Sequence, residues 1–331
     1  MLSLIHTVDA ATEAMSKYAG YELGLSDHLG GFDIDGHNPV LTNINNIAEQ
    51  LGIVQPLRYH QVIHPDIQKK YPNLKLVYDT TMHFSIHHLR NYTNTPIVDY
   101  KNFLCSFNGT EHLSRRFLLA AMYRFGFYNP EYSSKNIVFT KNKLDGDLQD
   151  ATGEDSRFFI KFFISPNSDE FFETVNTLGQ YNMADTALDV RRRHQHYENV
   201  EMLESQLTGS FLHMVSETMG TSYQPFVTEK FLYSVVTRGL YIAYAQPLWH
   251  SHVEQYFGFR PYTKLFDYRF DQISNPVHRL LELMTMISKF SLLSVDEWHD
   301  LRQIEMDTIE YNYDHYYSGA YLEHIAKHSS I

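Results

Sequence analysis

Apolar and polar positions divide this chain into two unlike halves. In the first hundred residues the apolar runs are short and are broken by Asn, His, Asp and Gly. The pattern there predicts one helix near residues 9–18 and a buried strand at LKLVYD (74–79), with a break around 91–100 at NYTNTPIVDY. Beyond the break the pattern becomes regular. NFLCSF (102–107) reads as a strand, the NGT turn follows, and a helix is expected from Ser114 to Phe125. IVFT (137–140) reads as a second strand, KLDGDLQDATGED (143–155) as a polar excursion, FFIKFFI (158–164) as an apolar run with no period, and 184–207 as helical. FLHMVSE (211–217) is a strand ending in polar residues. A helix over Thr228–Arg238, the strand LYIAYA (240–245), a short helix at His250–Phe257 and a last strand at KLF (264–266) follow.

The tail is helical. Leu280, Leu283, Met284, Ile287 and Phe290 recur at the spacing of one helix face. Ser294 and Glu297 form a capping box that opens a further helix of about 15–18 residues. Strands alternating with helices imply an α/β protein with a mainly parallel sheet in the second half. Ligands on such sheets sit beyond the carboxyl ends of the strands.

That rule directs attention to three strand ends. The first is FLHMVSETMGTSYQPFVTEKF (211–231), where a strand runs out at Ser216-Glu217-Thr218 and Thr228-Glu229-Lys230 opens a helix. A helix N-terminus offers unpaired N–H groups and a positive dipole end to phosphate. Lys230 adds a full charge, Glu229 can accept from two ribose hydroxyls, and Thr228 can cap the helix. The second is FLCSFNGTEHLSRRF (103–117), where a strand meets Asn108-Gly109 and then a helix bearing Arg115 and Arg116. Arginine sits poorly against the dipole of a helix start, so its placement there calls for an anion or an acid. The third is FGFRPYTKLFDYRFDQI (257–273), with Gly258 between aromatics, Asp267 and Asp271 flanking an aromatic stretch, Asp267 as an N-cap, and Arg279 beyond. On spacing alone each of these is equally a capped or solvated surface element.

Composition narrows the classes. The chain has 331 residues, enough for two domains of ordinary size. A single cysteine, Cys105, excludes an intrachain disulfide framework and a cysteine-built zinc site. Lys and Arg number 27 against 39 Asp and Glu, a net charge of −12, which disfavours bulk attraction to nucleic acid. The one basic cluster is Arg191, Arg192 and Arg193 in RRRHQH. No apolar run approaches the ~20 residues of a membrane span, and MLSLIHTVDAATEA is too acidic for a signal peptide, so the expected location is the cytoplasm.

Taken in order, the three segments resemble the donor-binding half of fucosyltransferase-like glycosyltransferases, including related sequences from large viruses and phages. The resemblance spans roughly 101–290. It rests on the Asn turn and Arg-bearing helix (Asn108, Arg115), the strand ending in Glu217, the Thr228-Glu229-Lys230 signature, Gly258-Phe259, and the acidic–aromatic–acidic stretch from Asp267 to Asp271. It implies a GT-B-like fold with two Rossmann-like lobes and C-terminal helices. The lobes would be an acceptor-side lobe over 1–100 and a donor lobe over 101–274, with helices over 275–331 packing on them. It further implies Arg115 and Lys230 on a diphosphate, Glu229 on the ribose, and Glu217 lining the same pocket. The donor would be a nucleotide-sugar, with the inverting chemistry of the family, no tightly bound cofactor and no required metal. The acceptor would be a glycan or a hydroxymethylated base in phage DNA. A non-catalytic nucleotide- or sugar-binding protein on the same fold is the alternative.

An inverting transfer needs a general base facing the donor. Asp35 and His37 in GGFDIDGHN (30–38) and Asp79 at a strand end are the candidates, with Asp33 and His83 beside them. Asp33-Ile34-Asp35 and Asp145-Gly146-Asp147 carry the spacing of a metal-binding acid pair. His83 and His87 would share a helix face. Such acid pairs arise often by chance, and the histidines have no acidic third ligand at matching spacing.

Overall fold

The computed structural model describes residues 4–5, 13, 15, 17, 20–21, 23–25, 37–59, 65–78, 89–94, 97–108, 113–129, 131–135, 196–217 and 227–329. Among them the chain is a mixed α/β protein with two parallel four-stranded sheets.

The first sheet has β1 (Leu4–Ile5), β2 (Leu23–Leu25), β3 (Gln55–Tyr59) and β4 (Leu74–Tyr78) side by side in chain order, all parallel. Helix α1 (Pro39–Leu51) connects β2 to β3 and α2 (Pro65–Lys70) connects β3 to β4. The boundaries of α1 follow from three residues. Asn38 accepts from the amides of Val40 and Leu41, Pro39 supplies a fixed φ at the first helical position, and Gly52 ends the helix at φ 64°. Val40, Leu41, Ile44 and Ala48 turn inward and meet Leu57, Leu74 and Leu76 in one buried cluster. The strand expected at 74–79 is β4. Of the helix expected near 9–18, residues 13, 15 and 17 are helical and the others lie outside the described residues.

The second sheet comprises β5 (Asn102–Asn108), β6 (Ser133–Lys135), β7 (Ser210–Ser216) and β8 (Leu240–Tyr244), in the order β6-β5-β7-β8 and all parallel. Every residue of β7 and β8 is buried. Such continuous burial is the mark of parallel strands covered on both faces. The helices are α3 (Leu113–Arg124), α4 (His196–Thr208), α5 (Glu229–Val236), α6 (Trp249–Phe257), α7 (Pro276–Ser288), α8 (Val295–Ile304), α9 (Met306–Ser318) and α10 (Ala320–Ser329). Their apolar faces and the strands share one large buried cluster, which includes Phe211, Phe231, Trp249, Leu280 and Trp298.

Two expected elements differ. The strand expected at 137–140 lies outside the described residues, and Ser133–Lys135 just ahead of it is a strand. KLF (264–266) is a turn rather than a strand, because the amides of Lys264 and Leu265 donate to Glu305 Oε1 at 2.6 and 3.2 Å and are not offered to a ladder. The single helix expected after Ser294 is broken. The capping box is present, but α8 stops at Ile304, where buried Glu305 leaves helical geometry, and Gly319 at φ 84° divides α9 from α10. The helix expected over 184–207 is seen as α4 from His196, and 143–155, 158–164 and 184–195 lie outside the described residues.

The order of the second sheet creates a switch point. From β5 the chain passes through α3 to β6 on one side, then returns to β7 on the other. The connections from β5 and β7 therefore diverge, and the carboxyl ends of two such strands are where sheets of this kind form their binding crevice.

Candidate site at the carboxyl ends of β5 and β7

Six of the seven residues expected to bind the donor lie at this switch point. Asn108 is the last residue of β5 and is buried, with Nδ2 donating to Ser106 Oγ at 3.1 Å. Arg115 lies in the first turn of α3 and is only 1% exposed. Its Nη2 donates to the carbonyl of Ser216 at 3.4 Å, so the helix that follows β5 reaches across to the end of β7. A buried guanidinium at a helix start works against the helix dipole, and the electron-rich end of β7 offsets part of that cost.

Glu217 is fully buried. Its amide donates to Tyr244 O at 3.3 Å, which carries the β7–β8 ladder one residue beyond β7. Its Oε1 accepts from the amide of Thr228 at 3.0 Å, and its Oε2 is buried with no hydrogen-bond partner among the described residues. Burial pushes the carboxyl up to about 7, against the pull of Lys230 and of the amide and hydroxyl of Thr228, while Glu229 pushes it further up. The two ends of the 217–228 connection are therefore tied through one carboxylate oxygen, and the other oxygen of that group is unmatched.

Helix α5 opens where the sequence places it. Thr228 has the extended torsions of an N-cap, but its side chain makes no cap hydrogen bond; its own amide donates to Glu217. Glu229 and Lys230 form the first turn, with Nζ 3.0 Å from Glu229 Oε1 and side chains 19% and 13% exposed respectively. A lysine in the first turn faces the positive end of the dipole, an arrangement that an added anion would relieve. One turn further on, Tyr233 OH accepts from Asn199 Nδ2 of α4 at 3.4 Å, which packs the back of the turn.

The third segment divides. Asp267 does cap a short helix, accepting from the amide of Arg269, and its side chain pairs with the Arg269 guanidinium in solvent. It borders an open cleft of about 520 Å³ whose rim carries Lys264, Arg269, Gln272 and Lys289. Asp271 is buried at the end of β8, where Oδ2 accepts from the amide of His250 at 2.9 Å and lies 3.2 Å from His250 Nδ1. Arg279 is buried too, donating to the carbonyls of Ala245, Ile273 and Ser274. Asp271 and Arg279 stand out in the sequence, but not their partners His250 and Ala245, which lie 21 and 34 residues away.

Gly258 does not join the site. It ends α6 at φ 79°, where a Cβ would meet His315 Nε2 at 2.6 Å, so its requirement for glycine comes from the backbone and from helix packing. The helix runs antiparallel to β8. Tyr262, four residues on, donates to the carbonyl of Gly239, the residue before β8. Gly258 is therefore at the end of the sheet opposite Glu217.

His37 is exposed and immediately precedes the N-cap of α1. Asp33, Asp35, Asp79, His83, His87, the Asp145–Asp147 pair and Arg191–Arg193 lie outside the described residues, as does the side chain of Arg116. Among the described residues no three His, Cys, Asp or Glu side chains are grouped to hold a metal ion, and no helix is long and apolar enough to cross a membrane.

Comparison with protein-family models gives no match, and no curated protein and no solved structure matches the chain.

Proposed function

We propose that this protein is a nucleotide-sugar-dependent glycosyltransferase of GT-B type, with the donor bound by residues 101–274 and the acceptor approached from residues 1–100. The observation that carries the reading is the meeting of Arg115, Glu217 and the Glu229–Lys230 turn at the switch point of a parallel sheet. Cations and the amide end of α5 suit a diphosphate, and Glu229 suits ribose hydroxyls. In the reaction the acceptor oxygen attacks the anomeric carbon as the bond from that carbon to the diphosphate oxygen breaks. The acceptor proton passes to a base, for which Asp35, His37 and Asp79 are the candidates. Lys230 and Arg115 take up the charge developing on the departing diphosphate. The acceptor is a glycan or a modified DNA base. The DNA alternative predicts affinity that falls steeply with salt and is lost when Arg191, Arg192 and Arg193 are all replaced by alanine.

The first test is thermal stability in the presence of UDP, GDP, CMP, ADP or dTDP, for the wild type and for Lys230→Ala. A ligand at a hundred times its Kd adds about 2.7 kcal/mol. One nucleotide should stabilise the wild type and not the variant. Its sugar conjugate should then be turned over at least a hundredfold faster by the wild type than by Lys230→Ala or Glu229→Ala. Absence of any shift would remove the donor site, and a shift without turnover would leave a binding protein.

A further inference from the structure

The buried carboxyl of Glu217 is in an unusual position for a group beside a phosphate site. One oxygen is occupied by the Thr228 amide, and the other is enclosed and without a partner among the described residues. A phosphate ester or diphosphate at neutral pH presents acceptor oxygens and negative charge. An ionised Glu217 would also present only acceptors, so the two would repel across a dry contact. A neutral carboxylic acid resolves the conflict, because its hydroxyl is a donor.

We propose that Glu217 serves the ligand as a protonated acid: the hydroxyl on Oε2 donates to an oxygen of a diphosphate held in the β5–β7 crevice, and binding takes up a proton from solvent. The proposal rests on the nucleotide-diphosphate reading above. The step is a protonation only: Glu217 carboxylate plus one solvent proton gives the acid, and no other bond is made or broken.

The charged and titratable groups around Glu217 favour this coupling. From α5 come Lys230, which favours the ionised form, and Glu229, which opposes it. A bound diphosphate would draw on Lys230 and add its own negative charge, and both changes move Glu217 toward the acid. From α3 comes Arg115, committed in part to the carbonyl of Ser216. From β8 comes Tyr244, whose hydroxyl donates to Pro276 O and is pushed up to about 12 by burial, so it keeps its proton across the working range. In the free protein burial already brings Glu217 to about 7, so the proton is gained at a pH where it can be counted.

The test is isothermal titration of the full chain at pH 7, 8 and 9, in buffers of different ionisation enthalpy. The probes are inorganic pyrophosphate, UDP, GDP, ADP and dTDP. The wild type is expected to take up close to one proton per site at pH 8, and its affinity to fall by up to about tenfold per pH unit above the free-state transition. Glu217→Gln places an N–H donor where the acid hydroxyl would be. Its Kd is expected to be flat from pH 7 to 9, with the Glu217 proton missing from the difference between the two proteins. Comparing the two also cancels protons belonging to the probe. Binding by the wild type with no excess proton uptake over Glu217→Gln would overturn the proposal while leaving the nucleotide reading standing. If the variant does not fold, the wild-type count with the nucleoside diphosphates at pH 8 and 9, where their phosphates are already fully ionised, decides it. No binding of any probe to either protein would overturn both.

Discussion

The ends of β7 and β8 lie side by side on one sheet edge, and each buries an acid and an arginine, but the two clusters are completed differently. At β8, Arg279 is engaged by three carbonyls, from Ala245, Ile273 and Ser274, and Asp271 holds the first turn of α6 through the His250 amide. His250 in turn accepts from the amide of Ala243 at 3.0 Å through Nε2, so its ring closes the end of the strand. Protein groups engage both charged side chains of this cluster; the atom left over is His250 Nδ1, buried 3.2 Å from Asp271 Oδ2 without a hydrogen bond among the described residues, and the cluster reads as architecture. At β7, Glu217 has one oxygen matched and one without a partner among the described residues, and Lys230 is paired with a neighbour in a helix turn that disfavours it. An incompletely matched buried carboxyl costs stability, and such a cost suits a group whose partner arrives from solution.

The sharpest way to break the comparison is to remove Arg279. Arg279→Ala would leave three buried carbonyls without their donor and a cavity where the side chain lay, at a cost of at least about 3 kcal/mol. Urea unfolding of the variant should show this loss at every pH between 6 and 8. A loss below about 1 kcal/mol would mean that the β8 cluster is not the structural half of the pair.

Glu217→Gln probes the other half and should move stability in the opposite direction. Burial raises the native carboxyl to about 7 from its ordinary 4.5, so the folded state keeps a proton that the unfolded chain releases. Wild-type stability therefore falls from this group as pH rises from 4.5 toward 7, and stays lowered above it. The glutamine variant escapes that fall. It should match the wild type near pH 5 and exceed it at pH 8 by on the order of 2 kcal/mol. Equal stabilities at pH 8 would show that Glu217 is ionised at no cost and that its second oxygen has found a partner.

How far these two clusters could be read in advance depended on the range of their contacts. The β7 end was legible because its parts are near in sequence: an apolar run stops at Ser216, the next residue is an acid, and Thr228-Glu229-Lys230 opens a helix eleven residues later. That the acid accepts from the amide of the N-cap residue, while the expected Thr228 side-chain cap is absent, was a matter of three-dimensional approach. The β8 end was legible only as a list of polar residues, because Arg279 reaches Ala245 across 34 positions. Long-range contacts also explain the misread KLF segment. Its apolar run suits a strand, but Glu305, 41 residues from Lys264, takes its amides. Helix α1 shows the reverse case. Asn38, Pro39 and Gly52 spell its start and stop locally, and the abundance of polar residues around it hid the signal.

The smallest expected change completes the contrast. Lys230→Ala removes a cation whose side chain is 13% exposed and whose partner Glu229 is 19% exposed, so the pair is largely sheltered and its loss has some cost. Two effects offset that cost. The lysine sits in the first turn of α5, where the helix dipole opposes a positive charge and welcomes the remaining Glu229. Its removal also lets Glu217 stay protonated to higher pH, since Lys230 is the charge that pulls that carboxyl down. The net loss should be below about 1 kcal/mol in urea unfolding at pH 7, several times less than for Arg279→Ala. A loss as large as that of Arg279→Ala would place Lys230 with the scaffold, and the loss of nucleotide stabilisation in that variant could then no longer be read as the loss of a ligand contact.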